Sequence, residues 1–232
     1  MQPEIKIINP CFPRSGHRFL RVMCKSYFGE KMLSCSASNR FNKDMNLVNY
    51  LKDHDFGLAR GNSGISLEKE NRYIVQYRHP IESIVSHYEM RLFHGYDNDT
   101  EQSWKRFLDS SLNFWKRFVE KWCLRDLSPM GLRVLRIPYS ELCDDPLSVL
   151  RRVVEFAPLD GKDPDSERLQ AAYDKNTGSF ARYVEHHNEG KKNLTKRRDV
   201  RDFKYYSEDF ALLEETLHSS YLGPLKINTL FT

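Results

Sequence analysis

The N-terminal stretch Ile5-Lys6-Ile7-Ile8-Asn9-Pro10-Cys11-Phe12-Pro13-Arg14-Ser15-Gly16-His17-Arg18-Phe19-Leu20 opens as a strand and closes as a helix. Ile5 to Ile8 is β-branched and ends in Asn9-Pro10, and from Gly16 apolar residues recur at helical spacing through Phe19, Leu20, Met23 and Tyr27 until Gly29. A loop between such a strand and helix offers backbone N–H groups and a helix dipole to an anion. The Gly-Lys-Ser/Thr that grips a triphosphate and its magnesium is absent, so this is not a Walker A loop. Taken alone, a Ser-Gly at a helix start is also what a plain helix cap looks like.

The same unit recurs downstream. Tyr73-Ile74-Val75-Gln76-Tyr77 has the continuous apolar character of a strand covered on both faces, and Pro80 then opens a helix with Ile81, Ile84, Val85, Tyr88 and Leu92 on one side. Trp104, Phe107, Leu108, Leu112, Trp115, Phe118, Val119 and Trp122 form a helical stripe that reads as packing surface. A turn at Ser128 to Gly131 leads to a strand over Arg133 to Ile137, and Asp145-Pro146 caps a helix through Phe156. Weaker signals predict a strand within residues 44 to 58, a charged helix from Ser166 to Tyr173, and a last helix from Ser207 to about Ser220. The loop carrying Gly57, Gly61 and Gly64 reads as flexible or functional. Strands alternating with helices, with no repeat and no long linker, predict one α/β domain over residues 1–232, a three-layer α/β/α arrangement around a parallel sheet.

Composition excludes several classes. With 40% hydrophobic and 29% charged residues, the chain is neither disordered nor fibrous. No apolar run approaches the roughly 18 residues of a membrane span, and no signal-peptide pattern precedes Ile5, so a cytoplasmic protein is expected if Met1 is the start. The five cysteines, Cys11, Cys24, Cys35, Cys123 and Cys143, contain no C-x-x-C pair, which suggests neither a disulfide framework nor a zinc site. The net charge of +4 is concentrated: residues 188–204 hold seven basic side chains against three acidic ones, so an anionic partner would meet this segment.

Pro13 to Leu20 resembles the phosphosulfate-binding loop of the sulfotransferases that use 3′-phosphoadenosine 5′-phosphosulfate (PAPS), whose pattern is Pro-Lys/Arg-Ser-Gly-Thr-Thr-Trp/Phe-Leu. Six of the eight positions agree. Tyr77-Arg78-His79-Pro80-Ile81-Glu82-Ser83-Ile84-Val85-Ser86 is similar to the family's 3′-phosphate motif, an Arg at a strand end with a Ser eight residues on. A guanidinium and a hydroxyl so placed can converge on one phosphate. Tyr139-Ser140-Glu141-Leu142-Cys143-Asp144-Asp145-Pro146 resembles the Tyr-Glu-Asp-Leu-x-x-Asp-Pro block whose Tyr lies against the nucleotide, and Thr177-Gly178-Ser179-Phe180 the turn that supports the adenine. Lys196-Arg197-Arg198-Asp199-Val200-Arg201-Asp202-Phe203-Lys204 is similar to the basic closing loop. Lys52-Asp53-His54 resembles the family's Lys-Thr-His.

The resemblance implies a P-loop NTPase-like sulfotransferase fold, with PAPS as cosubstrate and 3′,5′-adenosine bisphosphate (PAP) as product. It assigns nucleotide contacts to Arg14, Ser15, Gly16, His17, Arg18, Phe19, Arg78, Ser86, Tyr139, Phe180, Lys196, Arg197 and Arg198. Catalysis falls to His54, Lys52 and Arg14. An acceptor must lose a proton as it attacks sulfur, and His54 is the expected base. Arg14 would meet the bridging oxygen and 5′-phosphate and Lys52 the sulfuryl oxygens; fixed cations of this kind make a metal unnecessary. His17 and Arg18 replace the pattern's two threonines, Asp53 its Thr, and Arg198 and Arg201 two glycines. The acceptor, a small molecule or carbohydrate bearing a hydroxyl or amine, leaves no signature; neither nucleic acid nor membrane is expected as a partner. The competing readings are a nucleotide-kinase-like phosphotransferase and a non-catalytic anion or nucleic-acid binder using residues 188–204.

Overall fold

The computed structural model describes residues 6–36, 48–187 and 199–231, with the backbone alone over 177–187. Among the described residues five strands form one sheet: β1 (Lys6–Pro10), β2 (Ser34–Ser36), β3 (Tyr50–Asp53), β4 (Asn71–Tyr77) and β5 (Arg133–Pro138), in the order β2-β3-β1-β4-β5. Every neighbouring pair is parallel. The helices are α1 (His17–Phe28), α2 (Phe56–Ala59), α3 (Pro80–Phe93), α4 (Glu101–Val119), α5 (Tyr139–Asp144), α6 (Pro146–Phe156), α7 (Ser166–His187) and α8 (Asp209–Leu217).

Strand alternation builds the three layers. Tyr73, Val75 and Tyr77 of β4 point into an aromatic core shared with Ile81, Ile84 and Tyr88 of α3, Trp104, Trp115 and Phe118 of α4, and Phe210 of α8. Ile74, one residue out of phase, enters a second core with Leu20, Met23 and Cys24 of α1 and Val149, Leu150 and Val153 of α6. Both faces of the sheet are thereby covered, as an all-parallel sheet requires. The tryptophans of the α4 stripe and its continuation are fully or almost fully buried.

The chain moves from β1 outward to β2 and β3 on one side, then crosses to β4 and β5 on the other. This reversal makes the carboxyl end of β1 a topological switch point, where a crevice forms between diverging loops. The register aligns the carboxyl ends there: Pro10 lies opposite Asp53, Cys11 bridges Gln76, and Tyr77 lies opposite Pro138.

Proline at the start of α3 and the Asp145 side chain, which accepts a hydrogen bond from Ser148 N at 3.0 Å, start their helices as expected. Three expectations need correction. Within 44–58 the strand is confined to Tyr50–Asp53; Asp55 turns into the left-handed region (φ 55°) and α2 begins at Phe56, while residues 44–47 lie outside the described residues. The helix from Ser166 runs on to His187, so Thr177 to Phe180 has helical backbone and no separate turn; no proline interrupts it, and α7 packs along α1. The Gly57–Gly64 loop is tied down rather than loose: Arg117 donates to Leu58 O at 2.9 Å, and Lys121 to Ser63 O and Ile65 O, both at 2.8 Å. Among the described residues no helix is long and apolar enough to cross a membrane.

Candidate active site

The loop Cys11–Gly16 is held from beneath by buried polar groups. Asn9 donates to Ile74 O at 2.5 Å and to Gln76 Oε1 at 3.2 Å, and Tyr50 OH donates to Asn9 Oδ1 at 3.0 Å. Gln76 Nε2 in turn donates to Ser15 O at 3.2 Å. A buried amide network of this kind is stabilising only when its members are satisfied, and here it fixes the loop to two strands. Arg14 and Gly16 both adopt left-handed backbone, with φ of 65° and 82°. Gly16 is the one residue type that fits: a Cβ there would stand 2.6 Å from Leu142 Cδ2 and 3.1 Å from the Tyr139 ring. The Ser15 hydroxyl is buried with no hydrogen-bond partner among the described residues, a state that calls for a ligand.

Three sequence motifs meet above this loop. Arg14 Nε donates to Ser86 Oγ at 3.0 Å, and Arg78 reaches Arg14 O at 3.4 Å. The Arg78 guanidinium lies over the Tyr139 ring, 4.3 Å from its centroid, and pairs with Glu82 at 3.3 Å. Trp115 Nε1 donates to Arg78 O at 3.0 Å, pinning the strand end. Burial and then the neighbouring Arg78 charge lower the Arg14 pKa, while burial raises that of Tyr139. Two guanidiniums kept this close repel each other, and an anion between them relieves the repulsion.

His54 stands at the end of β3, on the other side of the loop. Its Nδ1 lies 2.7 Å from Cys11 O, and because a carbonyl can only accept, Nδ1 carries the proton and Nε2 holds the lone pair. Burial, reinforced by the Lys52 charge, pulls the His54 pKa down to about 3 against the raising effect of the Cys11 carbonyl, so the ring is neutral at pH 7. Burial likewise lowers Lys52. The His17 ring meets His54 edge-on at 5.1 Å, and burial with several neighbouring cations takes its pKa to about 2. Phe56, 44% exposed, lies 5.2 Å from His54 and 5.7 Å from Phe114, giving the crevice an apolar shoulder.

The structure therefore brings together Arg14, Ser15, Gly16, Arg78, Ser86 and Tyr139, with His17 and His54 beside them. Arg18 is on the exposed face of the first turn of α1, and Phe19 packs against the α1/α6 core. The Phe180 side chain and Lys196, Arg197 and Arg198 lie outside the described residues. Of the basic segment, Arg201 pairs with Asp199 at 3.2 Å and Lys204 with Asp99 at 2.8 Å, while Phe203 packs on Trp104 at 4.6 Å.

Sequence inspection missed the supports. Asp55 is buried and accepts from Ile65 N at 2.6 Å, Trp122 Nε1 at 2.8 Å and Lys121 Nζ at 3.1 Å, holding the residue next to His54 in its left-handed turn. Asn9 and Gln76, polar residues inside apolar strands, were the available signals for the loop network.

Residues 70–164 match the family model described as Sulfotransferase family. No curated protein matches the sequence. Among solved structures, mouse sulfotransferase SULT7A1 complexed with PAP is similar at 21% identity, with 95% of this chain and 86% of that one covered and a TM-score of 0.61. Retinol dehydratase in complex with androsterone and inactive cofactor PAP follows at 13% identity, 99% and 83% coverage and a TM-score of 0.59. A sulfotransferase from Alicyclobacillus acidocaldarius is similar at 12% identity, 99% and 98% coverage and a TM-score of 0.51. The parallel three-layer fold is that of sulfotransferases.

Proposed function

We propose that this chain, which carries a sulfotransferase-family domain, is a PAPS-dependent sulfotransferase acting on a hydroxyl or amine of a small-molecule or carbohydrate acceptor. The observation that carries the reading is the convergence of Arg14, Ser86, Arg78 and Tyr139, residues from three separate motifs, on one side of the Gly16 turn.

The residues fit a nucleotide with two anionic ends. Ser15 supplies an unsatisfied buried hydroxyl, and Gly16 lets the loop turn tightly beneath Leu142 and the Tyr139 ring, where a Cβ would clash. In this reading Arg14, Ser15 and the amides at the start of α1 hold the 5′-phosphosulfate end, Arg78 and Ser86 the 3′-phosphate, and Tyr139 a flat face of the nucleotide. The exposed Arg18 adds positive charge at the rim, and the resemblance assigns Lys196, Arg197, Arg198 and Phe180 to the same nucleotide. PAPS supplies an activated sulfuryl group.

This chain's own residues then have electrostatic and acid–base work. Sulfuryl transfer resembles phosphoryl transfer, a loose in-line displacement in which positioning and charge stabilisation dominate. Arg14 and Lys52, cations already partly desolvated, stabilise negative charge on the leaving side and on the transferring oxygens. His54, neutral and with its Nε2 lone pair set by the Cys11 carbonyl, takes the acceptor's proton. An anionic donor beside Lys52 offsets one of the effects that depress the basicity of His54, burial being the larger.

The test is transfer of radiolabelled sulfuryl from PAPS to a panel of phenols, alcohols, amines and sugars, with His54→Asn in parallel. The wild-type chain labels at least one acceptor, and the variant retains PAP binding but loses turnover by at least ~100-fold. Labelling that is undiminished in the variant removes His54 as the base.

A further inference from the structure

Three soft donors converge beside the nucleotide loop. The Cys11 thiol and one ring nitrogen each of His17 and His54 lie within 4.8 Å of one another. Cys11 Sγ is 3.4 Å from His54 Nδ1, near the about 3.5 Å that separates a sulfur and a nitrogen across a tetrahedral zinc with bonds of about 2.3 and 2.0 Å. His17 Nδ1 is buried and has no hydrogen-bond partner among the described residues. A buried ring nitrogen in that state is a donor awaiting a ligand. The family pattern has threonine at the His17 position, so the third donor belongs to this chain's own sequence.

We propose that Cys11, His17 and His54 bind a thiophilic divalent cation, Zn2+ above all, and that the bound ion withdraws His54 from the reaction. One thiolate and two imidazoles suit a borderline-soft ion and not Mg2+ or Ca2+, which take oxygen ligands. On binding, the Cys11 S–H bond breaks and its proton passes to the buffer, the His54 proton moves from Nδ1 to Nε2 as Nδ1 gives up its hydrogen bond to Cys11 O, and zinc–sulfur and zinc–nitrogen bonds form with no change of oxidation state. The thiolate cancels one of the ion's charges. Arg14, Arg21 and Lys52, whose fields reach His17, oppose the charge that remains, so the site fills and empties reversibly. Three protein ligands leave the fourth position open to water or to an anion. The metal site stands on its own geometry; only the inhibitory consequence rests on the sulfotransferase reading.

Co2+ titrated into the purified full chain, with a phosphine reductant and no nucleotide, tests the site. One equivalent binds with a near-ultraviolet sulfur-to-cobalt band that Zn2+ displaces, and Cys11→Ser loses the band. A folded wild-type chain without the band, or a band unchanged in Cys11→Ser, overturns the site. Cys11 is fully buried, so circular dichroism checks that variant's fold; if it does not fold, His17→Gln decides, and cobalt bound as tightly as in the wild type overturns the proposal. Turnover measured separately falls with added Zn2+ and returns with EDTA; turnover indifferent to Zn2+ at saturation overturns the inhibitory role. The band requires no turnover, so a chain that shows it but transfers no sulfuryl group refutes the functional reading alone.

Discussion

His54 owes its state to two neighbours at once: the Cys11 carbonyl fixes which nitrogen is protonated, and burial beside Lys52 keeps the ring neutral. The proposed base acts in its unprotonated form, and with the pKa near 3 that form persists far below the ordinary histidine range. The acid limb of kcat/KM contributed by His54 is therefore expected well below pH 6.5, which a pH–rate profile of the free enzyme reports; a limb centred at 6.5 and abolished by His54→Asn would contradict the buried environment. Gly16→Ala is expected to lower stability by about 1–3 kcal/mol, from left-handed strain and the clash with Leu142. Thermal unfolding would show the loss, and PAP affinity should fall with it. At this scale much was legible in the sequence. Arg14, Gly16, Arg78, Ser86 and Tyr139 stand in spaced motifs with a chemical reason for each residue type, and the structure puts them within reach of one another. Nothing in sequence spacing says that residues 11, 17 and 54 share a few ångströms.

Elements explain why those residues hold still. Trp115 and Trp122 were read as packing surface, and they are buried, but each also spends its indole N–H on the site: one on Arg78 O, the other on the Asp55 carboxylate. Trp115→Phe keeps most of the packing and strands that carbonyl, so it is expected to cost about 1–3 kcal/mol in denaturant unfolding and to weaken PAP binding. Asp55→Ala is more severe, about 3–5 kcal/mol, because it leaves Lys121 and the Trp122 N–H facing an empty, largely buried space. If chemical denaturation finds Asp55→Ala within 1 kcal/mol of wild type, the clamp is not what holds the His54 turn. Strands β1, β4 and β5 and helices α1, α3, α4 and α6 were readable because their apolar periods are long and their caps are local. The short β2, the end of β3 and the length of α7 were not, since each depends on a distant partner: β2 on β3, the Asp55 turn on α4 and its continuation, and α7 on α1.

Across the whole molecule, burial drives His17, His54 and His87 in one direction. His87, packed on Phe107 and facing Arg91 and Arg14 with Asp97 in partial compensation, has its pKa lowered to about 4. The unfolded chain, with histidines near 6.5, binds more protons from about pH 6.5 down to about 4 for His87, 3 for His54 and 2 for His17, so this stability is fully present above about 6.5 and is lost as the pH falls through that range. Melting temperatures at fixed ionic strength should decline over this range, and more gently in His87→Gln; a flat profile would place the ring in solvent. The strand order, which sets the switch point beneath the crevice, could not be read from the sequence beyond its parallel class. In the proposed complex, two anionic ends of one nucleotide are held by Arg14 with Ser15 and by Arg78 with Ser86. Calorimetric titration of PAP into the wild-type chain and Arg78→Ala, with magnesium ATP as a control, tests it most directly. One PAP is expected to bind per wild-type chain, with that binding lost in Arg78→Ala and magnesium ATP bound weakly or not at all; tight magnesium ATP binding without PAP binding, or PAP binding unchanged in Arg78→Ala, would refute the proposed nucleotide site.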